Sequence, residues 1–359
     1  MKKILLVFNR FDDANGVARA AIAVANNLSA RGDSVTLSPL YRCSSSSISH
    51  LDNRVTVKPV FGFYFPGFAK VLDIIPKKLL YKYAVKGEYD VEIAFQFGQS
   101  VKIISHSTNK KAVHYAWMHG YDYGLKLKKY YPSFDKIFCV SRCNAERLHN
   151  EMSNISVGYC YNTLDDKAVC AQGSELIDLS ANDVFTFVSV GRFTKEKGFP
   201  RLVNCAIRLL QEGFKFNLWL VGDGPEMEIC KTMVSDNHLE GFILFMGTQT
   251  NPHKYTSKAD VFVCPSFSEG YSNACTEAIM LGIPVISTEV SGANEIIEDA
   301  EAGEVVENSE EGIYKGMRHA LELSDVILIW KNTIQSTKYR FSKDYRCHRL
   351  YDCIDEITK

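Results

Sequence analysis

Two glutamates eight positions apart, Glu269 and Glu277, mark the part of the sequence that is richest in chemically useful groups. They follow an apolar run at 261–264, and the second lies inside a predicted helix over 272–281 that ends at Gly282. Because carboxylates accept hydrogen bonds from sugar hydroxyls, one interpretation of this pair is a sugar-binding site. The alternative is that Glu277 is an ordinary solvated helix residue and Glu269 interacts only with the helix dipole.

The residues between these glutamates add backbone donors at the start of the predicted helix. Ligands of open α/β sheets bind where strands end and helices begin. The amides at a helix N-terminus, together with the helix dipole, suit a phosphate. The residues that would present these amides are Gly270, Tyr271, Ser272 and Asn273. This segment therefore offers groups for both a phosphate and sugar hydroxyls.

A second charged motif, Arg192 and Lys197 in the sequence VGRFTKEKGF, follows another predicted strand at 185–191. A planar guanidinium and a flexible ammonium group at the carboxyl end of a strand are well suited to a diphosphate. The alternative interpretation is surface charge on a strand–helix loop.

Three further residues follow predicted strands. Gly16 stands at the start of a helix, where the absence of a side chain permits close approach to a phosphate, although a turn glycine is the alternative. Gly222 belongs to the sequence GDGP, but Met227 occupies the position of the third glycine of a dinucleotide fingerprint, so NAD binding is not indicated. His119 ends an apolar run, where a single histidine is either functional or structural.

Short apolar runs alternate with amphipathic segments, and these elements must position the residues above. The predicted strands are 4–8, 35–37, 91–95, 113–118, 136–140, 185–191, 215–222, 242–247, 261–266 and 284–288. The predicted helices include 17–32, 198–212, 226–237 and 272–281. Nearly continuous Val, Ile and Phe strands between helices indicate parallel sheets covered on both faces. We therefore predict an α/β fold with two doubly wound, Rossmann-like domains that face a central cleft and are linked near 161–173.

Taken together, these motifs resemble the retaining glycosyltransferases of family 4, which have the GT-B fold. The resemblance rests on Gly16, His119, GRFTKEKG with Arg192 and Lys197, GDGP, and Glu269-x7-Glu277. It is nearly gapless over 188–297 and looser in the first 165 residues. It implies an acceptor-binding domain formed by 1–165 plus 341–359, and a nucleotide-sugar-binding domain formed by 166–340. The tail, 341–357, is predicted to be an amphipathic helix that returns to the first domain, with Tyr345, Leu350, Cys353 and Ile357 on or near one face.

The resemblance also implies a role for each matching residue. Arg192 and Lys197 would hold the diphosphate and neutralise the charge of the leaving group without a divalent metal or other cofactor. Glu269 would stabilise the cationic anomeric centre, Glu277 would accept the ribose hydroxyls, and His119 would contact the donor sugar. The other residues implied to bind the donor are Gly16, Gly222, Gly270, Tyr271, Ser272 and Asn273. The implied reaction transfers a hexose, with retention, from a nucleotide-diphosphate sugar, of which UDP-sugars are the commonest in the family.

Composition excludes several other classes of protein. The 359 residues are 46% hydrophobic and 23% charged, which is typical of a soluble globular protein, and the net charge of -1 gives no reason to expect a nucleic-acid binder. The 11 cysteines include no CxxC pair, which indicates a reduced, cytoplasmic protein without a cysteine-based metal site. The first apolar run lacks a signal-peptide cleavage site, and no run approaches the ~20 apolar residues of a membrane span.

The overall charge conceals two halves of opposite sign. Up to Asp165 there are 22 Lys and Arg against 13 Asp and Glu, a balance of +9, and from Asp166 onward there are 19 against 29, a balance of -10. In the basic half, segment 60–86 combines aromatic residues with five lysines and predicts a basic amphipathic helix from Lys77 onward. Such clusters favour anionic membranes, whereas the alternative is a solvated helix whose apolar side packs on the sheet.

The membrane interpretation would suit a lipid-linked glycan acceptor, as in the synthesis of a cell-surface polysaccharide, with the protein peripheral on the inner face of the cytoplasmic membrane. Two other functions share the predicted fold. A nucleotide-sugar epimerase would need an acid or base in the cleft, for which His119 could serve. A catalytically silent binding subunit of a glycosyltransferase complex would not need the complete set of charged residues.

Overall fold

The structure, a computed structural model, describes residues 1–11, 16–41, 43–177 and 184–356. The chain divides into two compact units. Unit 1 comprises Met1–Thr163 and Arg346–Lys359, and unit 2 comprises Leu164–Tyr345. Each unit is built around one parallel sheet with its own hydrophobic core. The prediction of two doubly wound, Rossmann-like domains is therefore confirmed.

Unit 1 contains a seven-stranded sheet in the order β3-β2-β1-β4-β5-β6-β7. Its strands are β1 (Lys3–Phe8), β2 (Ser34–Pro39), β3 (Thr56–Val57), β4 (Val91–Ala94), β5 (Val113–Met118), β6 (Lys136–Cys139) and β7 (Val157–Tyr159). Its helices are α1 (Gly16–Ala30), α2 (Ser45–Ser49), α3 (Phe68–Ile74), α4 (Lys77–Ala84), α5 (Gln99–Ile104), α6 (Tyr121–Leu125) and α7 (Arg142–Glu151), with a 3₁₀ helix at Lys128–Ser133.

Unit 2 contains a six-stranded sheet in the order β10-β9-β8-β11-β12-β13. Its strands are β8 (Thr186–Val190), β9 (Asn217–Val221), β10 (Ile243–Gly247), β11 (Val261–Cys264), β12 (Val285–Thr288) and β13 (Gly303–Val306). Its helices are α8 (Asp166–Gly173), α9 (Phe199–Gln211), α10 (Met227–Asp236), α11 (His253–Thr256), α12 (Asn273–Met280), α13 (Ala293–Ala300), α14 (Glu310–Glu322) and α15 (Ser324–Thr337), with 3₁₀ helices at Lys195–Lys197 and Lys338–Phe341.

The central strands are apolar because helices cover both faces of each sheet. Every residue of β4, β5, β6, β11 and β12 is buried. The sequence did not predict β3, β7 and β13, which lie at sheet edges and have two, three and four residues. Such short edge strands carry too few apolar residues to stand out from a loop.

The strand orders place one reversal point in each sheet. In unit 2 the chain runs outward from β8 to β10 and then returns to start again at β11, the other neighbour of β8. In unit 1 the corresponding neighbours are β1 and β4. Ligands of open α/β sheets bind at the carboxyl ends of strands at such a point. The loops after β8 and β11 are therefore the expected site in unit 2.

The tail forms helix α16 (Lys343–Asp355), whose buried residues include Leu350 and Cys353 as predicted. Tyr345 was wrongly placed on the buried face, since it is 54% exposed, and Ile357 lies outside the described residues. The observed buried face is Arg346, Cys347, Leu350, Cys353 and Ile354, because the helical phase is set by packing against unit 1. There the Arg346 side chain donates to the Asn162 carbonyl at 3.3 Å.

The serine run at 44–47 contains the start of helix α2, with Ser44 accepting from the Ser47 amide as the N-cap. Serine is a favoured N-cap residue because its hydroxyl satisfies an amide that the helix leaves unpaired. Within the described part of the chain, no helix is both long enough and apolar enough to cross a membrane.

Candidate functional site

The loop between β8 and α9 places Lys197 over the carboxyl edge of the unit 2 sheet. Lys197 ends a short 3₁₀ helix, and Gly198 follows with a positive φ of 66°. A Cβ atom at Gly198 would collide with the Pro265 carbonyl oxygen. Glycine is therefore required here for the loop to lie directly on the segment that follows β11.

Lys197 and Glu269 form an ion pair between these two loops. The Lys197 ammonium lies 2.6 Å from Glu269 Oε1, and Ser266 Oγ donates to the same oxygen at 2.7 Å. The Glu269 side chain is only 12% exposed. Burial works against the charge on Lys197, but the Glu269 carboxylate outweighs it and raises the pKa of Lys197 above its ordinary value. The structure thus brings together two predicted catalytic residues that are 72 positions apart.

Arg201 on α9 fixes the start of the loop that carries Glu269. Its Nε and Nη2 atoms donate to the Pro265 carbonyl at 2.8 and 2.6 Å, and Nη2 also donates to Asn308 Oδ1 at 2.8 Å. The guanidinium stacks on the Phe267 ring, 3.7 Å from its centroid. Asn308 in turn donates to the Phe267 carbonyl at 3.1 Å. These contacts hold the backbone before Glu269 in one conformation.

Sequence reasoning missed Arg201 and Asn308. Neither residue belongs to a motif, and their partners are 64 and 107 positions away from Arg201. The only local signal is an arginine on the apolar face of α9, where it is 7% exposed. An arginine buried in this way needs hydrogen-bond acceptors, and the loop carbonyls supply them.

Helix α12 carries Glu277. Ser272 is its N-cap and accepts from the Cys275 amide at 3.3 Å. Glu277 is 7% exposed, so the alternative that it is an ordinary solvated helix residue is wrong. Tyr271 is also buried and packs on Gly292. Gly270 and Asn273 are partly exposed at the start of the helix.

Arg192 does not belong to the partly buried Lys197–Glu269 ion pair. Its side chain is 63% exposed, and its guanidinium lies 3.5 Å from the Glu196 carboxylate. A surface ion pair of this kind contributes little to stability. Arg192 therefore lies on the exposed side of the loop whose other end contributes Lys197.

Gly222 has a structural explanation. A Cβ atom at this position would collide with the Gly191 carbonyl, and its φ is 137°. Its amide donates to the Gly247 carbonyl at 2.8 Å. Close packing between the loops after β8, β9 and β10 thus accounts for the glycine, and its contact with a donor stays a prediction.

The remaining predicted residues, Gly16 and His119, lie at the carboxyl edge of the unit 1 sheet. Gly16 is the first residue of α1, and the four residues before it lie outside the described ranges. His119 follows β5 directly, and its ring packs edge-on against Phe95 at a centroid distance of 4.8 Å. Burial lowers the pKa of His119 to about 4, although a hydrogen bond with the Phe95 backbone opposes this shift. The imidazole is therefore neutral at pH 7.

Two cavities differ sharply in size. The one beside Lys197 and Glu269 has a volume of about 20 Å³, room for a single water molecule. In unit 1, an open pocket of about 610 Å³ is lined by Arg10, Tyr41 and Tyr64, among others. Across the described ranges, no three His, Cys, Asp or Glu side chains come together in a way that could hold a metal ion.

The similarity to a known protein family lies in unit 2. Residues 184–322 match the family model described as "Glycosyl transferases group 1". This match contains the Lys197–Glu269 pair, Arg201 and Glu277.

Curated relatives extend the similarity to more of the chain. The chain is 30% identical over 218 residues to the N-acetylgalactosamine-N,N'-diacetylbacillosaminyl-diphospho-undecaprenol 4-alpha-N-acetylgalactosaminyltransferase of Campylobacter jejuni, an alignment that covers 59% of this chain and 58% of that protein. It is 30% identical over 201 residues to the lipopolysaccharide core biosynthesis glycosyltransferase LpsE of Rhizobium meliloti, covering 56% of each. The chain thus spans less than two thirds of the length of these relatives.

Solved structures cover the whole chain at low identity. HepE of Anabaena, crystallised with UDP and glucose, has a TM-score of 0.78 and 14% identity, covering 99% of this chain and 100% of that one. The sucrose-phosphate synthase of Thermosynechococcus elongatus has a TM-score of 0.75 and 16% identity, covering 99% of each chain. At these identities the similarity shows the fold alone.

Proposed function

Because residues 184–322 form a group 1 glycosyl transferase domain and the chain has the GT-B fold, we propose that this protein is a glycosyltransferase that uses a nucleotide-diphosphate sugar. The observation that carries the proposal is the partly buried Lys197–Glu269 pair at the reversal point of the unit 2 sheet. The fold permits many functions. This pair, by contrast, supplies a cation suited to the diphosphate of a nucleotide sugar and an anion suited to its sugar.

In the proposed reaction, the bond between the anomeric carbon and the distal phosphate oxygen breaks, an acceptor hydroxyl oxygen bonds to the same face of that carbon, and the hydroxyl proton passes to the departing phosphate. Negative charge develops on the departing diphosphate and positive charge on the sugar. Lys197 stabilises the diphosphate, and Glu269 stabilises the cationic anomeric centre. Arg192, exposed at the other end of the same loop, is proposed to add a second cation once a donor binds. Because protein cations neutralise the charge of the departing diphosphate, we expect transfer to proceed without a divalent metal.

Glu277 is proposed to bind the ribose of the donor, because it is a buried carboxylate in the helix that follows the Glu269 loop. The start of that helix, Gly270 to Asn273, is proposed to face the sugar and phosphates. UDP is the favoured nucleotide, supported by HepE of Anabaena, a structural relative crystallised with UDP. We propose retention at the anomeric carbon. An NMR spectrum that showed an inverted anomeric configuration in the product would contradict this proposal.

The acceptor is proposed to bind in unit 1, in the pocket lined by Arg10, Tyr41 and Tyr64. Arg10 lies over the Tyr64 ring at 4.1 Å, and the Tyr41 and Tyr64 rings are 5.1 Å apart. Aromatic rings pack against the apolar faces of sugars, and an arginine suits a phosphate. A lipid-linked glycan acceptor is supported by the name of the Campylobacter jejuni relative, which includes diphospho-undecaprenol. The proposed process is therefore synthesis of a cell-surface glycan.

The structure disfavours the epimerase alternative. That reaction would require His119 to exchange protons near neutral pH, but burial lowers the pKa of its imidazole to about 4. A neutral ring with this pKa is a weak base and is suited to a hydrogen bond with a sugar hydroxyl. The silent-subunit alternative has no use for the intact Lys197–Glu269 pair.

A donor screen tests the proposal. The melting temperature of the full chain would be measured with UDP-, GDP- and ADP-sugars, since a ligand that binds only the folded state raises it. We expect one nucleotide class to raise the melting temperature, and the sugar of that class to be consumed when acceptor is added. If no nucleotide sugar stabilised the chain, the proposal would be wrong. Epimerised sugar formed without acceptor would favour the epimerase.

A further inference from the structure

Unit 1 exposes an unusual concentration of large apolar side chains around α3 and α4. We call this region the α3–α4 surface and define it by its exposed apolar residues, Phe63, Tyr64, Phe65, Val71, Ile74, Ile75, Leu79 and Tyr83. Isolated exposed apolar residues are normal, but a contiguous patch marks an interaction site. Ile74 is 84% exposed and Leu79 61%, so these side chains contribute almost nothing to the core.

The core does not need these residues, because other side chains of the same helices fill it. Phe68 and Leu72 of α3 are buried, as are Leu80, Tyr81 and Ala84 of α4. The interpretation that the apolar side of 77–86 packs on the sheet therefore accounts for the buried set only. The exposed set is a second apolar face that requires another explanation.

The aromatic part of this surface is held in place. Phe63 and Phe65 are parallel, with centroids 6.4 Å apart, and both rest on the buried Phe68 ring at 5.1 and 4.9 Å. Tyr83 stacks on Phe61 at 5.5 Å. Rings anchored in this way lose little further entropy when another surface covers them.

The charges of this surface are predominantly positive. Segment 60–86 contains five lysines and a single acid, Asp73. The Asp73 carboxylate is already engaged, 2.6 Å from the Lys102 ammonium and 3.6 Å from that of Lys77. The other four lysines of the segment are exposed: Lys70, Lys78, Lys82 and Lys86. The partner must therefore present negative charge beside an apolar layer.

We infer that the α3–α4 surface docks on an anionic phospholipid bilayer, with its apolar side chains in the interface and its lysines among the lipid phosphates. Aromatic and aliphatic residues combined with exposed lysines are the composition of interfacial membrane anchors. A second copy of the chain is a poor occupant, because it would bring two lysine clusters of the same sign together. Docking does not depend on the proposed transfer reaction, since it requires neither donor nor acceptor.

Vesicle flotation of the full chain, without donor or acceptor, tests the inference. The vesicles would contain phosphatidylcholine alone or mixed with phosphatidylglycerol. We expect the chain to float with the mixed vesicles, to float far less with phosphatidylcholine alone, and to be released by high salt. No flotation with the mixed vesicles would overturn the inference.

Two sets of variants locate the contact. The triple variant Lys70→Glu, Lys78→Glu and Lys82→Glu should weaken binding to mixed vesicles by roughly 100-fold or more, because each lysine near such a surface contributes substantially. Its control, Lys167→Glu, Lys215→Glu and Lys258→Glu, makes the same change at exposed lysines of unit 2 and should bind like wild type. The pair Ile74→Ser and Leu79→Ser should lose binding, whereas Leu328→Ser and Ile329→Ser, 60% and 61% exposed on α15, should not.

All these side chains are exposed, so the variants should fold, and equal melting temperatures would show that they do. If the α3–α4 variants floated as well as their controls, the inference would be wrong. It would also be wrong if wild type were a dimer by light scattering and the Ile74→Ser, Leu79→Ser pair made it a monomer, because the surface would then bind a second copy.

Discussion

The two units share one sheet plan, yet their carboxyl edges are built differently. In unit 2 the edge is closed, with Lys197, Glu269 and Ser266 in mutual contact and a cavity of only about 20 Å³ beside them. In unit 1 the edge offers an open pocket of about 610 Å³. The closed edge holds its charges in contact with one another, and the open edge leaves a larger space. In the proposed function, the first is the donor site and the second is the acceptor site.

The largest effect should come from removing the cation of the closed edge. Lys197→Ala should lower turnover by about 10²–10³-fold, since it deletes a preorganised charge from the proposed leaving-group site. The control, Lys195→Ala, removes an exposed lysine from the same 3₁₀ helix and should leave turnover unchanged. The turnover of both variants is measured as a steady-state rate with the nucleotide sugar that the donor screen identifies. Equal rates for the two variants would show that Lys197 does not contribute to turnover, and the unit 2 edge would then have no demonstrated role in the reaction.

The close packing of loops in unit 2 should be nearly as sensitive. Gly222→Ala should lower the free energy of unfolding by about 3 kcal/mol, because a Cβ atom would meet the Gly191 carbonyl at a strained φ. Gly213→Ala is the matched control, since its φ is also positive, 94°, but nothing lies within 4 Å of the added atom. It should cost about 1 kcal/mol. Urea unfolding measures the free energy of unfolding of both variants. Equal losses would show that the positive φ, and not the contact with Gly191, causes the destabilisation.

The contribution of His119 at the unit 1 edge can be tested through the pH dependence of the free energy of unfolding. Burial lowers its pKa to about 4, below the ordinary 6.5, so the unfolded chain takes up a proton that the folded chain does not. Stability is therefore fully present above pH 6.5 and falls as the pH drops towards 4, by at most about 3 kcal/mol.

His119→Asn should remove this part of the pH dependence of urea unfolding, whereas His149→Asn, at an exposed position of α7, should retain it. An unchanged acid slope in His119→Asn would mean that the surroundings of the ring do not lower its pKa.

The smallest of these effects concerns the support of the Glu269 loop. Arg201→Leu should cost about 2 kcal/mol of unfolding free energy, because the Pro265 carbonyl and Asn308 lose their donor. Arg208 lies on the same helix as Arg201 and forms an exposed ion pair with Glu311 of α14. Arg208→Leu, which breaks this pair, should cost less than about 1 kcal/mol.

Arg201→Leu should also lower turnover through the position of Glu269, with Arg201→Lys restoring part of it. Normal turnover in Arg201→Leu would show that the loop keeps its conformation without this support.

Local patterns predicted most of the fold. The six residues of β5, VHYAWM, are all buried, and a run that is apolar except for His114 identifies a central strand. The edge strands β3 and β7 escaped prediction because they have only two and three residues, and β13 because its sequence GEVV contains only two large apolar residues. Tyr345 was misplaced because a helix with few apolar residues does not fix its own phase, which the packing of α16 on unit 1 decides.

The candidate site was predictable only where it lies within motifs. Glu269 and Lys197 belong to recognisable segments, and the strand order explains why these segments meet. Arg201 and Asn308 support the same loop through contacts that only the tertiary structure creates. The burial of Glu277 also depends on the packing of α12, which its sequence does not reveal.

Titration calorimetry with UDP, GDP and ADP tests the central claim most directly, namely that the closed edge of unit 2 binds a nucleotide-sugar donor. We predict that UDP binds wild type and Lys195→Ala with the same affinity, and Lys197→Ala about tenfold or more weakly, because a charge-assisted contact to the diphosphate is lost. The absence of binding by all three nucleotides to wild type, or equal affinities for Lys195→Ala and Lys197→Ala, would contradict the claim.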